Sequence, residues 1–285
     1  MKEMVKKGNS GQTLLIILLI AAVILTVGLA IASYSITDIK ISQQEEASAR
    51  AFSAAEAGIE ESLKIGSATN TTVGNITAQV SEIAQGGNKD FNFGGLKFAS
   101  GELTNVWLIG HTAQGELNPS ESFPSNGKIT ICWGESNMVG NDNPPALEAS
   151  LIYKDGANYK VIRSGFDPKV GRTTGFAAVD NNNGGNCPPT GNLAFAKNID
   201  LANGTFALPV NAVPYLLRLK LLYNSESQPL AITADKNLPL QGKCFDSSAA
   251  IVESNITRKI RQCQFYEAPP AIFDYVLFSG SSLTK

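Results

Sequence analysis

From Leu14 to Ala32 the chain reads LLIILLIAAVILTVGLAIA, and no position in these nineteen carries a charge. A helix rising ~1.5 Å per residue makes this stretch about 28 Å long, close to the hydrocarbon thickness of a bilayer. It holds six Leu, five Ile and two Val. At roughly -0.3 to -0.6 kcal/mol each, these favour membrane insertion by about 4–8 kcal/mol. The pattern then changes without a break. No Pro and a single Gly (Gly58) occur between Ser33 and Lys64. Phe52, Ala55, Ile59 and Leu63 recur at helical spacing, and Glu46–Arg50 and Glu60–Lys64 are i,i+4 pairs with the acid first. The spacing predicts one helix over about Gln12 to Lys64, roughly 80 Å long. It is apolar all round in its first half and amphipathic in its second. Gly66 is the predicted C-terminal cap.

Beyond residue 100 the texture becomes short β-like runs between turns. The predicted strands are 103–110, 128–134, 146–154, 159–165, 215–224, 229–234, 249–253, 256–267 and 272–278. YKVIR and ITRKIRQC alternate as half-buried strands do. YLLRLKLLY alternates only in part, which places it centrally in a sheet. All 13 Pro lie at or after Pro119. The fold class is therefore α+β: a long N-terminal helix, transmembrane and then stem, carrying a mainly antiparallel β head with long loops. The predicted segments are a leader at 1–11, the helix at 12–64, a connector at 65–100 and an extracytoplasmic head at 101–285.

Charge adds an orientation. The net charge is -2, which supplies no basic footprint for nucleic acid. Lys2, Lys6 and Lys7 against Glu3 make the first eleven residues +2, so the remainder is -4. The positive-inside rule keeps the basic end in the cytoplasm and sends the head outside. Cys132, Cys187, Cys244 and Cys263 are an even set without C-x-x-C spacing, and in that compartment they predict two disulfides. A hairpin turning near 253–255 sets Cys244 nearly opposite Cys263, which leaves Cys132 for Cys187. Four buried free thiols are the alternative.

Candidate chemistry is sparse. Asp180, Asn181, Asn182 and Asn183 resemble half of a Ca²⁺ loop, with Asp180 and Asn182 the candidate ligands. The glycine comes one place early and no bidentate Glu follows, so a polar turn is the preferred reading. His111 is the single histidine, and it is read as structural or as part of a surface loop. No nucleophile elbow, P-loop or zinc-protease helix is present. No enzyme activity and no resident cofactor are expected.

The segment KKGNSGQTLLIILLIAAVILTVGLAIASYS, followed by EEASARAFSAAEAGIEESL, resembles the N-terminus of type IV pilus minor pilins of the PilX type. It is also similar to the tip pseudopilins of type II secretion. The resemblance covers residues 1–64. It implies a leader cut after Gly11 by a prepilin peptidase, N-methylation of Gln12, and helix packing against other pilin-like subunits. Two positions depart from the major-pilin pattern. Gln12 stands where Phe is usual, and Ile16 stands where Glu is usual. That Glu can neutralise a neighbour's N-terminal amine, a charge costly to bury. Its absence implies a minor subunit, possible at a filament tip, with a role in initiation or adhesion.

Two other processing fates are open. Ala30-Ile31-Ala32 resembles a signal-peptidase site, and the helix could serve as a plain single-pass anchor. The competing function is then a membrane-anchored extracellular binding protein, or adhesin, outside any filament. Its natural contact loops are 134–146 and 180–192.

Overall fold

The computed structural model describes residues 10–112, 115–181, 185–187 and 191–270, with side chains from Leu14 onward and excluding those of 182–192. The predicted strand at 272–278 lies outside the described residues.

A single helix runs from Ser10 to Ile65. Gly66 ends it in the left-handed region at φ 78°, and its N–H donates to Ser62 O at 2.8 Å. This is the αL cap, a conformation that costs glycine nothing. The Ser62 Oγ, fully buried, accepts from Thr69 N–H at 3.1 Å and holds the chain as it leaves the helix.

By contacts the described residues form two compact units, 10–81 with 246–261, and 82–245 with 262–270. In the first unit the helix packs on strand residues through a small core of Ala51, Ala54, Ala55, Ile76, Ala78, Ala249 and Ile251. Strands Thr71–Val73, Ile76–Gly86, Leu240–Ile251 and Ile256–Phe265 are hydrogen-bonded in that order.

Of the expected stripe, Ala55 and Ile59 are buried and Leu63 is half-buried, so Phe52 alone departs from it. Phe52 is 49% exposed, while Ala51, Ala54, Ala55, Gly58, Ile59 and Ser62 are buried. The helical period is as read, but the stripe that seats is the one of small residues. A Cβ at Gly58 would lie 2.8 Å from Ser247 Oγ and 3.0 Å from Ala78 Cβ, so only a thin side of the helix fits against the strands. The expected acid-first pairs also rearrange. Arg50 donates to Asn75 Oδ1 at 2.9 Å, and Lys64 lies 3.8 Å from Glu61.

The second unit holds two five-stranded β-sheets, with the two-stranded pairs Ile109–His111/Leu117–Ser122 and Gly185–Cys187/Gly191–Leu193 beside them. One five-stranded sheet contains Ala177–Ala178, Asn158–Asp167, Ala146–Asp155, Val213–Leu222 and Leu103–Trp107, in that order. Its pairings are antiparallel except the short parallel pair at 166–167 with 177–178. The partly alternating run 215–222 is interior, flanked on both sides. The other sheet orders Phe195–Asp200, Lys128–Trp133, Gln228–Ala234 and Asp90–Phe91, with Lys97–Phe98 also on Gln228–Ala234. A shared core of large apolar side chains joins them, among them Trp133, Phe195, Ile131, Leu151, Leu219 and Ile232. Trp133 is fully buried and satisfies its indole N–H on Pro145 O at 2.7 Å.

Among the described residues one disulfide is present, Cys244–Cys263, where two bridges are expected. The strands 240–251 and 256–265 turn through Asn255, at φ 51°, which brings the two cysteines opposite each other. Cys132 is fully buried and is not a free thiol. The side chain of Cys187 lies outside the described residues.

Candidate functional site

The helix is the largest candidate surface. Every residue from Leu14 to Ala32 is exposed, and none of this apolar stretch is buried inside the molecule. The one polar side chain in this stretch, Thr26, returns its hydroxyl to Val23 O at 2.9 Å. Thr37 does the same to Ser33 O at 3.0 Å. Back-bonding of this kind lets a hydroxyl sit on an apolar helix without an unsatisfied donor. Length and composition make the helix competent to cross a membrane once. Gly11 and Gln12 lie in its first two turns, and Ile16 presents 54% of its surface.

The head carries several polar constellations. Asp180 accepts from Lys197 Nζ at 2.6 Å and from Asn198 N–H at 2.8 Å. Partial burial works to raise its pKa, but those two donors outweigh it and hold the carboxyl below the usual range. The carboxylate is thus paired with a lysine. Asn182, the other candidate ligand, lies outside the described residues. No cluster of three or more metal-ligating side chains occurs among the described residues.

His111 stacks on Tyr266, with ring centroids 4.0 Å apart, and meets Trp107 edge-on at 4.7 Å. Burial lowers its pKa. The ring serves as a packing element, and Trp107 is tied further by Gln241, which donates to its carbonyl and accepts from its N–H.

Sequence reasoning misses the strongest polar feature of the head. Arg172 closes on Asp167 through Nε at 3.0 Å and Nη2 at 2.7 Å. The same guanidinium reaches Pro144 O at 2.9 Å and lies over the Tyr223 ring at 4.2 Å. Asp167 is 2% exposed. Asp167 ends the strand Asn158–Asp167 and Arg172 lies five residues on in the loop that follows, a spacing with no periodic signature. The partners of the loop at 134–146 become visible only in three dimensions.

In the first unit a cavity of about 620 Å³ lies against the strands, with Gln79, Asp246, Ser248, Lys259 and Arg261 in its lining. Arg261 grips Asp246 with two hydrogen bonds of 2.6 Å. The hydrogen bonds and charge of Arg261 hold the Asp246 carboxyl below its usual range.

No protein-family model, curated protein or solved structure matches the chain.

Proposed function

We propose that this chain is a minor pilin-like structural subunit of a type IV pilus or pseudopilus, assembled through its N-terminal helix. The observation that supports the reading is the division of labour within one unbroken helix. Residues 14–32 are exposed and apolar all round, whereas 47–62 seat a stripe of small residues on the strands of the first unit. An element built this way carries a folded domain at one end and needs an apolar environment at the other. A bilayer supplies that environment before assembly, and neighbouring apolar helices supply it afterwards.

In this reading Lys2, Lys6 and Lys7 hold the leader in the cytoplasm until a prepilin peptidase cuts after Gly11, and Gln12 becomes the methylated first residue. Ile16 cannot neutralise a neighbour's amine, which suits a subunit used rarely or at a tip. A second bridge, Cys132–Cys187, completes the head.

The test is the N-terminus of the processed protein, read by mass spectrometry. A chain beginning at Gln12 is the expected result. A chain beginning at Ser33 indicates a secreted protein. An uncut Met1 in assembled cells indicates a plain anchor carrying a binding head, and either of these outcomes sinks the filament reading.

A further inference from the structure

The strands of the first unit are seated on the helix by one face only. Ala78, Ser247, Ala249 and Ile260 point to the helix side. Alternation along each strand sends Gln79, Asp246, Ser248, Lys259 and Arg261 to the opposite face. These five residues line the 620 Å³ cavity, and the intervening positions Val80, Ser247 and Ile260 also reach its wall. Within it Arg261 is matched by Asp246, and Lys259 leaves the cavity with two cations against one carboxylate. The strand Ile256–Phe265 is the last in its sheet order and carries Arg258, Lys259 and Arg261 with no acid.

The outward side of the stem helix has the opposite sign. At about 100° per residue, Asp38, Glu45, Glu56 and Glu60 fall between roughly 120° and 180° from Ala51, the middle of the seated stripe. Glu45, Glu56 and Glu60 are exposed. Phe52 borders this stripe with 49% of its surface open, an aromatic beside a charged rim, as interfaces are built.

The spacings match. Glu56 and Glu60 are one helical turn apart, about 5–6 Å between Cβ atoms. Lys259 and Arg261 are two residues apart on one strand face, about 6.6 Å. The cationic face and the acidic stripe look away from each other across the helix–strand layer, so one molecule cannot join them to itself.

We propose that the cavity at Lys259 and Arg261 receives the Glu56–Glu60 stripe of the stem helix of a second copy of this chain. The contact rests on the reading of the chain as an assembling subunit and names its partner surface. It is heterologous, a face of one copy on a different face of the next, and so belongs to a subunit used rarely but with copies side by side, not to a lone copy at a tip.

The test uses full-length protein in detergent, mixing unlabelled and ¹⁵N-labelled copies before zero-length carbodiimide coupling. Mixed-isotope peptides joining Lys259 to Glu56 or Glu60 are the expected product. Co-capture of differently tagged copies should fall roughly three- to tenfold in Lys259→Glu, and similarly in a Glu56→Lys/Glu60→Lys protein. Mixing those two variants restores capture, because the swapped charges meet. Cross-links confined to one isotope, unchanged capture in Lys259→Glu, or no recovery in the mixture overturns the contact. The N-terminus is read on the same samples. Gln12 without the contact defeats only this inference, and Met1 with the contact defeats only the pilin reading.

Discussion

Gly58 of the stem helix lies directly beneath Ser247, so close that a Cβ on the glycine would stand 2.8 Å from the serine Oγ. Ala78 Cβ and Val80 Cγ2 would each be 3.0 Å away. The Ser247 Oγ is buried without a hydrogen-bond partner. Gly58→Val should therefore lower stability by about 1–3 kcal/mol through overpacking, partly offset by a helix-propensity gain of under about 1 kcal/mol for Val over Gly. Ser247→Ala alone should be neutral or slightly stabilising, since it deletes a buried unsatisfied hydroxyl. Gly58→Ala combined with Ser247→Ala should cost less than the two single changes added together. Thermal melts of the four proteins in detergent check this. Additive behaviour would mean the helix and strands do not approach as closely as described.

The hairpin disulfide predicts its own energetics. Cys244 and Cys263 are 19 residues apart in sequence, and a loop of that size constrains the unfolded chain by about 3 kcal/mol. The Cys244→Ala/Cys263→Ala protein should melt lower by a corresponding amount. Non-reducing peptide mapping should recover Cys244–Cys263, and Cys132–Cys187 beside it. A thiol assay that titrates Cys132 or Cys187 in the folded, oxidised protein would remove the second bridge.

Arg172→Ala should be the most damaging surface-loop substitution in the head. It strands the buried Asp167 charge, and breaking a buried pair from one side costs about 3–5 kcal/mol. Arg172→Lys keeps the charge but loses the two-pronged grip and the packing on Tyr223, so it should fall in between. Denaturant titration of the two variants, with Asp167→Asn/Arg172→Met as the paired control, separates lost attraction from stranded charge.

Acid should destabilise the fold through Asp246 and Asp180. Both carboxyls are held below their ordinary range in the folded protein. A depressed folded pKa means that the unfolded chain binds the proton first. The stabilisation is therefore fully present above the ordinary carboxylate value, about 3.9, and is lost as pH falls through the lower folded value. Asp246→Asn and Asp180→Asn should each flatten the acid limb of a stability–pH curve and leave the slope near pH 7 unchanged. An unaltered acid limb in both would show that neither carboxyl carries the linkage.

Val23 and Val27 lie within the exposed apolar half of the helix, each 52% open. Replacing both with Arg adds roughly 5–7 kcal/mol to insertion, comparable to the whole apolar gain of the segment. The variant should appear in the carbonate-soluble fraction, whereas the parent should stay with the membrane pellet.

Much of this architecture can be read from local pattern. A charge-free run followed by unbroken 3.6-residue periodicity dictates a single helix, because nothing in 12–64 offers the backbone a better alternative. Gly66 marks its end because an αL turn there favours glycine. The hairpin pairing of Cys244 with Cys263 follows from counting outward from the turn. Function was less legible. Gly11, Gln12 and Ile16 carry meaning only through resemblance, and a polar turn at Asp180 looks the same in sequence whether it faces a cation or a lysine.

The sequence by itself determined the one apolar span, the long helix, the β-rich head and the hairpin cysteine pair, since each depends on neighbours close along the chain. Tertiary structure alone decided which stripe of the stem helix seats on the strands. Periodicity puts Phe52 on one stripe with Ala55 and Ile59, and only the close approach of Ala78, Val80 and Ser247 to Gly58 centres the contact on the small residues and leaves Phe52 outside it. It also decided that Arg172 closes on Asp167 and that Asp180 belongs to Lys197. Those pairings depend on where separate strands and loops meet, and no spacing along the chain encodes that.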